Sequence, residues 1–246
     1  MRKHFVFTAT LIFLSSSAPF AQHDRMNVSP DIALVKLSEH AYAHASYADM
    51  PPYGRVGSNG LLLTNGKEAF LFDTPVNDSL TRLLVSWIHD SMGVRIVGFV
   101  PNHWHSDCMG GLGYLKSIGV ESYASQMTID IAKSKHLPVP EHGFADSLVL
   151  NLGGMKILCD YPGPAHSLDN IVVWIPSERI LFAGCMIKAM KSENLGNTAD
   201  GDTIQYPVTI RRVLKKYGNA RYVIPGHGKI GGIELIRNTL HLAGGR

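Results

Sequence analysis

The chain has 246 residues, 45% hydrophobic and 17% charged, which is ample apolar material for a core in one domain or two small ones. A formal charge of +3 with no long basic run argues against a nucleic-acid or membrane-surface partner. The three cysteines, Cys108, Cys159 and Cys185, are too few for a disulfide framework, though one pair plus a metal-binding thiol stays open on counting alone.

At the N-terminus, Arg2 and Lys3 precede an apolar stretch from Phe5 to Leu14, followed by Ser15, Ser16, Ser17 and Ala18. That order marks residues 1–21 as a secretory signal peptide, too short to span a bilayer comfortably. Pro19 spoils cleavage after either Ala18 or Ala21, so the cleavage point stays open. The expected mature chain, residues 22–246, is an exported, periplasmic protein with no membrane contact, and without heptads or an apolar stripe it is expected to be a monomer.

The first strands are expected at Ile32 to Leu37 and Ala41 to Ser46. Tyr47 to Arg55 is rich in turn formers, with Met50 and Tyr53 as apolar tips. Gly60 to Thr64 and Ala69 to Phe72 flank Asn65-Gly66, a strong hairpin signal. Leu80, Leu83, Leu84, Trp87 and Ile88 recur at helical spacing, with Gly93 as a stop, and Val94 to Val100 reads as a buried strand.

Further on, helical signals lie in Met109 to Ile118, Ser125 to Lys135, Val208 to Tyr217 and Ile233 to Leu242. Strand signals lie in Leu148 to Leu152, Met155 to Asp160, Ile171 to Ile175, Arg179 to Phe182 and Arg221 to Ile224. Strands mixed with helices in both halves predict an α/β chain of two packed sheets with helices outside. No low-complexity linker divides it, so residues 22–246 are expected to form a single domain.

The chemistry concentrates in Asn102-His103-Trp104-His105-Ser106-Asp107-Cys108-Met109-Gly110-Gly111. Two histidines two apart on a loop can aim at one point, and the carboxylate two residues on can reach a neighbouring point. Such donors suit zinc, which takes nitrogen, sulfur and oxygen at ~2.0–2.3 Å. His166, in a turn after Pro162-Gly163-Pro164-Ala165, Cys185 after Gly184, and His227 between Gly226 and Gly228 also follow apolar runs. Any one of these alone is an ordinary turn; six candidate ligands at strand ends are not. Glycine beside a ligand lets backbones approach closely.

The order His-x-His-x-Asp, then His, Cys and His, resembles the metallo-β-lactamase superfamily and within it subclass B1, over nearly the whole mature chain. The resemblance implies a four-layer αββα sandwich with a dinuclear zinc site at one edge of its sheets. His103, His105 and His166 would hold the first zinc; Asp107, Cys185 and His227 would hold the second. It also implies hydrolysis of the amide bond of penicillins, cephalosporins and carbapenems by a zinc-bound hydroxide, without an acyl-enzyme, and hence antibiotic resistance. Asp107 would orient the nucleophile, Lys188 would meet the substrate carboxylate, and Asn197 would approach the lactam carbonyl. Met50 and Tyr53 would belong to a mobile hairpin that closes over substrate. Cys108, where many members carry arginine, reads as a small packed residue behind Asp107 rather than a ligand.

Other readings stay open at this point: a related hydrolase of thioesters, lactones or phosphoesters, or a zinc-binding protein that is not an enzyme. Asp73 is either an acceptor behind a ligand histidine or a helix-approach cap. Trp104 is expected to point into packing, and Cys159 into the core. His40, His44, His89, His136, His142 and His241 are expected to be surface or structural.

Overall fold

The structure is a computed structural model that describes residues 24–245; the expected signal peptide lies outside them. Strands β1 (Arg25–Ser29), β2 (Ile32–Lys36), β3 (Ala41–Asp49), β4 (Arg55–Thr64), β5 (Glu68–Phe72), β6 (Arg95–Val100), β7 (Glu121–Ser125) and β8 (His142–Phe144) form one sheet in chain order. The first five pair antiparallel, and β5 to β8 pair parallel. The second sheet has the order β13 (Tyr222–Pro225), β12 (Ile180–Gly184), β11 (Val172–Ile175), β10 (Met155–Asp160) and β9 (Ser147–Leu152).

Side-chain alternation explains the layers. Leu61, Leu63, Phe70 and Phe72 face the second sheet's Ile157, Val173, Ile180, Phe182 and Ile224, while Leu62 and Leu71 turn the other way. On that outer face they meet Leu84 and Ile88 of α1 (Asp78–Met92) and Leu112 and Leu115 of α3 (Leu112–Ser117). On the far side Val172, Leu181 and Val223 pack against Tyr206, Ile210 and Val213 of α5 (Tyr206–Tyr217) and Leu235 and Ile236 of α6 (Glu234–Leu242). Strands buried on both faces read as continuous apolar runs, and three stacked cores between four layers give the αββα sandwich. Each fully buried Leu, Ile or Phe adds about 1.5–3 kcal/mol of transfer free energy.

The helix signals act as expected. Asn77 caps α1 by accepting from the Leu80 amide at 2.9 Å, and Gly93 ends it at φ 67°. Ser125 caps α4 (Gln126–Ser134). The expected Met109 to Ile118 helix is two short ones, α2 (Ser106–Met109) and α3, broken at Gly110-Gly111. The Tyr47 to Arg55 loop is shorter than its composition suggested, because Tyr47 pairs with Gly57 and Asp49 with Arg55, leaving Met50 to Gly54 at the tip of a long hairpin. Among the described residues no helix is long and apolar enough to cross a membrane.

Candidate metal centre

Four connections converge at one edge of the sandwich. The loop after β6 and the short α2 carry His103, His105 and Asp107; the turn after β10 carries His166; Cys185 follows β12 and His227 follows β13. Three donors therefore come from each sheet. Two glycines make the approach possible. A Cβ on Gly226 would lie 2.3 Å from Cys185 Sγ, and one on Gly184, at φ 54°, would lie 2.3 Å from Asn102 Oδ1.

The donors gather in two groups. His105 Nδ1 lies 2.9 Å from His103 Nε2 and 3.3 Å from His166 Nε2. His227 Nε2 lies 3.2 Å from Asp107 Oδ2 and 3.3 Å from Cys185 Sγ, and that sulfur is 3.8 Å from Asp107 Oδ2. Tetrahedral zinc with Zn–N of ~2.0–2.1 Å and Zn–S of ~2.3 Å sets its ligands about 3.3–3.6 Å apart. The separations in the two groups, 2.9 to 3.8 Å, bracket that spacing.

Hydrogen bonding at the outer ring nitrogens suits a bound cation. His103 Nδ1 donates to Asn102 Oδ1 at 3.2 Å, and His105 Nε2 donates to Asp200 Oδ2 at 3.0 Å. The facing His103 Nε2 and His105 Nδ1 then present lone pairs to each other, an arrangement a bound metal ion resolves. His227 Nδ1 donates to the Gly57 carbonyl at 2.9 Å, which turns its Nε2 toward Asp107 and Cys185. His166 Nδ1 is buried with no hydrogen-bond partner among the described residues.

The electrostatics agree. Burial, with His166 and His105 nearby, pushes His103 well below the ordinary imidazole value, and burial brings His166 down to about 4. Both therefore stay neutral donors at neutral pH. Burial alone would raise Asp107, but the hydrogen bond from His227 and the neighbouring histidines hold it below the usual carboxylate range. A hydrogen bond from Cys108 draws the Cys185 thiol well below its ordinary value. The Cys185 thiolate in turn raises His227 to about 11, so positive charge is favoured beside that sulfur and Asp107.

Above the donors lies a cavity of about 650 Å³, a size suited to a drug-like molecule. Met50, Tyr53, Lys188 and Asn197 line it together with Asp107, His105, His166 and His227. Lys188 Nζ donates to the Cys185 carbonyl at 2.8 Å, and burial lowers its pKa. Asn197 is exposed, its side chain accepting from the Ala199 amide at 3.1 Å. Tyr53 is also exposed, at the hairpin tip.

Some placements differ from expectation. Trp104 packs against the helix-side core as expected but also lines the cavity, edge-on to the His105 ring with centroids 4.5 Å apart, and Lys135 Nζ sits 4.3 Å over its face. Asp73 touches no ligand histidine and caps no helix; it accepts from the Asn102 amide in a left-handed conformation, φ 56°. Four supporting residues had no role assigned to them from the sequence. Asp200 orients His105; Asn102 orients His103 and bonds the Ile171 carbonyl across the sheets. Asn59 donates to the Pro225 and Gly228 carbonyls, both at 2.9 Å, on either side of His227. Buried Asp169 accepts from the Trp104 amide at 3.0 Å, from Thr128 Oγ1 at 2.7 Å and from Ser167 Oγ, tying the first two histidines to the turn that holds His166.

Layers and donors together define a metal-binding protein whose centre lies across the seam of an αββα sandwich. The chain belongs to the metallo-β-lactamase superfamily, whose family model matches residues 53–227. It is 51% identical over 214 residues to a metallo-β-lactamase type 2 from Bacteroides fragilis, covering 87% of this chain and 86% of that protein. It is 34% identical to a metallo-β-lactamase type 2 from Bacillus cereus, covering 88% of this chain and 84% of that one. A solved metallo-β-lactamase from Pontibacter korlensis superposes with a TM-score of 0.83 at 33% identity, covering 87% of this chain and all of that chain.

Proposed function

We propose that the protein is a subclass B1 zinc β-lactamase that hydrolyses the lactam amide of penicillins, cephalosporins and carbapenems and so confers antibiotic resistance. The observation that carries this reading is the pair of adjoining three-donor groups, one all-imidazole and one with a single thiolate, at the floor of a cavity that also holds Lys188. Two zinc ions are proposed, the first on His103, His105 and His166, the second on Asp107, Cys185 and His227. Bound zinc lowers the pKa of water to about 7 and polarises a carbonyl, which supplies a hydrolytic nucleophile without a serine.

The chain's own groups position the reactants. Lys188 offers an ammonium to the carboxylate beside the bicyclic nitrogen, a charge-assisted contact strengthened by its partial burial. The Asn197 side chain reaches the lactam carbonyl oxygen across the cavity mouth. Asp107 orients the attacking water, and the Met50–Tyr53 tip closes over the bicycle and excludes bulk solvent. Water adds to the carbonyl through its oxygen and gives up a proton to solvent, the C–N bond opens, and the released nitrogen takes a proton back from solvent. No side chain becomes acylated.

The same reading takes residues 22–246 as one domain, exported to the periplasm by residues 1–21 and acting as a monomer on a small molecule, with no nucleic-acid or membrane partner. The test is turnover of nitrocefin and of a carbapenem by purified, zinc-loaded protein. Hydrolysis that a chelator abolishes and zinc restores is expected, with no covalent adduct in the mass spectrum. Turnover of thioesters or lactones without β-lactam turnover would overturn the proposal.

A further inference from the structure

Trp104 and the end of α4 form a cavity wall to which the proposed hydrolysis gives no task. Trp104, Leu137 and Pro138 line the cavity together. Lys135 is exposed beside them, its Nζ 4.3 Å over the Trp104 ring, and it makes no ion pair among the described residues. The parts of this wall are tied to one another. Buried Asp169 accepts from both the Trp104 amide and Thr128 Oγ1 of α4. Beyond α4 the amides of Lys135, His136 and Leu137 donate to the Ile131, Lys133 and Ala132 carbonyls at 3.0, 3.2 and 2.9 Å, with His136 left-handed at φ 55°. That corner packs Leu137 on the helix-side core and leaves the Lys135 ammonium on the indole face.

Resting on the β-lactamase reading above, we propose that Lys135 is a specificity-determining residue. It favours β-lactams whose acyl side chain carries a second anion, a carboxylate or a sulfonate, and Trp104, Leu137 and Pro138 are the apolar bed for that side chain.

The shape of the substrate sets the direction. In a penicillin the carboxylate beside the bicyclic nitrogen and the acylamino group leave the bicycle at opposite ends. Lys188, which meets the carboxylate, reaches the cavity from the second sheet, after β12. The wall of Trp104, Leu137 and Pro138 comes from the first sheet's side, after β6 and α4. A side chain laid on that wall brings a terminal anion to the ammonium over the indole. An aromatic face leaves that ammonium with donors to spare. The contact is open to solvent, so it discriminates by a small factor rather than by orders of magnitude.

The experiment measures kcat/KM of the zinc-loaded protein for carbenicillin and benzylpenicillin, which differ by a single side-chain carboxylate. Taking the ratio within each variant cancels any general loss of folding or activity. Lys135→Gln should lower the carbenicillin-to-benzylpenicillin ratio by about 1.5- to 5-fold, through KM for carbenicillin, and Lys135→Glu should lower it further. Lys135→Arg should keep the wild-type ratio, and added salt should shrink the gap between wild type and Lys135→Gln. A ratio unchanged in Lys135→Gln and Lys135→Glu, or lowered as much in Lys135→Arg as in Lys135→Gln, would overturn the proposal while leaving the β-lactamase reading intact. A wild type that turns over neither penicillin would overturn that reading itself, and the inference with it.

Discussion

Asp200 Oδ2 accepts a hydrogen bond from His105 Nε2 at 3.0 Å, from a residue 95 positions away in the chain. The contact fixes the tautomer that leaves His105 Nδ1 free to face His103 and His166. Outer partners of this kind change metal affinity by about 10–100-fold when removed. Asp200→Ala should weaken the first metal ion by about that factor in a chelator competition. Asp200→Asn, which still offers an oxygen acceptor, should recover part of the loss. Unchanged affinity in Asp200→Ala would remove the role.

Lys188 should matter to substrate and not to metal. A hydrogen bond to a charged group is worth about 1.5–3 kcal/mol, or about 10–150-fold in affinity. Lys188→Ala should raise KM for anionic β-lactams by at least about tenfold while zinc content stays at the wild-type level. Elemental analysis alongside steady-state kinetics separates the two, and an unaltered KM would withdraw Lys188 from substrate binding.

Asn59 joins the first sheet to the loop carrying His227 through two side-chain bonds and a backbone bond to the Gly226 carbonyl at 2.8 Å. Asn59→Ala strands two carbonyl oxygens, at a cost of about 1–3 kcal/mol each where they stay dry. The variant should melt earlier, and its second metal ion should dissociate before its first. Calorimetry with stepwise chelation would show both effects. Loss of the two ions in the reverse order would contradict the assignment.

His44 gives the fold a pH dependence of its own. Burial lowers it to about 4, while its Nε2 donates to the Asp73 carbonyl at 3.1 Å and its Nδ1 has no partner among the described residues. The unfolded chain takes up this proton near the ordinary pKa of ~6.5, well before the folded chain does. The contribution is therefore whole above about pH 6.5 and lost as pH falls toward 4, by about 3 kcal/mol. Metal-free His44→Gln, unfolded in urea at a series of pH values, should show a flatter slope in that window. An identical slope would mean that His44 does not titrate there.

The convergence of the six candidate donors was legible because metal chemistry needs few residue types, and these types stood after apolar runs that form buried strands. The layers were legible for a related reason: Leu61, Leu62 and Leu63 are all buried because both faces of β4 are covered. Edges were not legible. β1, Arg-Met-Asn-Val-Ser, has the composition of a loop, and only its pairing with β2 makes it a strand. β8 is three residues long and owes its conformation to β7. Tyr47 to Asp49 looked like a turn because local composition says nothing of the partner strand across from it. Asn59, Asp169 and Asp200 each act through one side chain on a backbone or ring distant in sequence, and no spacing rule marks such residues.

Because each sheet contributes three of the six donors, neither half of the sandwich owns a complete cage. A dication seated there is a rivet through two plates. Its loss frees the seam at that end, where only Asn59, Asn102 and their kin still stitch one plate to the other. Scarcity of metal would then loosen that edge while the core between the sheets holds the rest, and refilling would tighten it. For such a chain, supply of the ion and tightness of the seam rise and fall together.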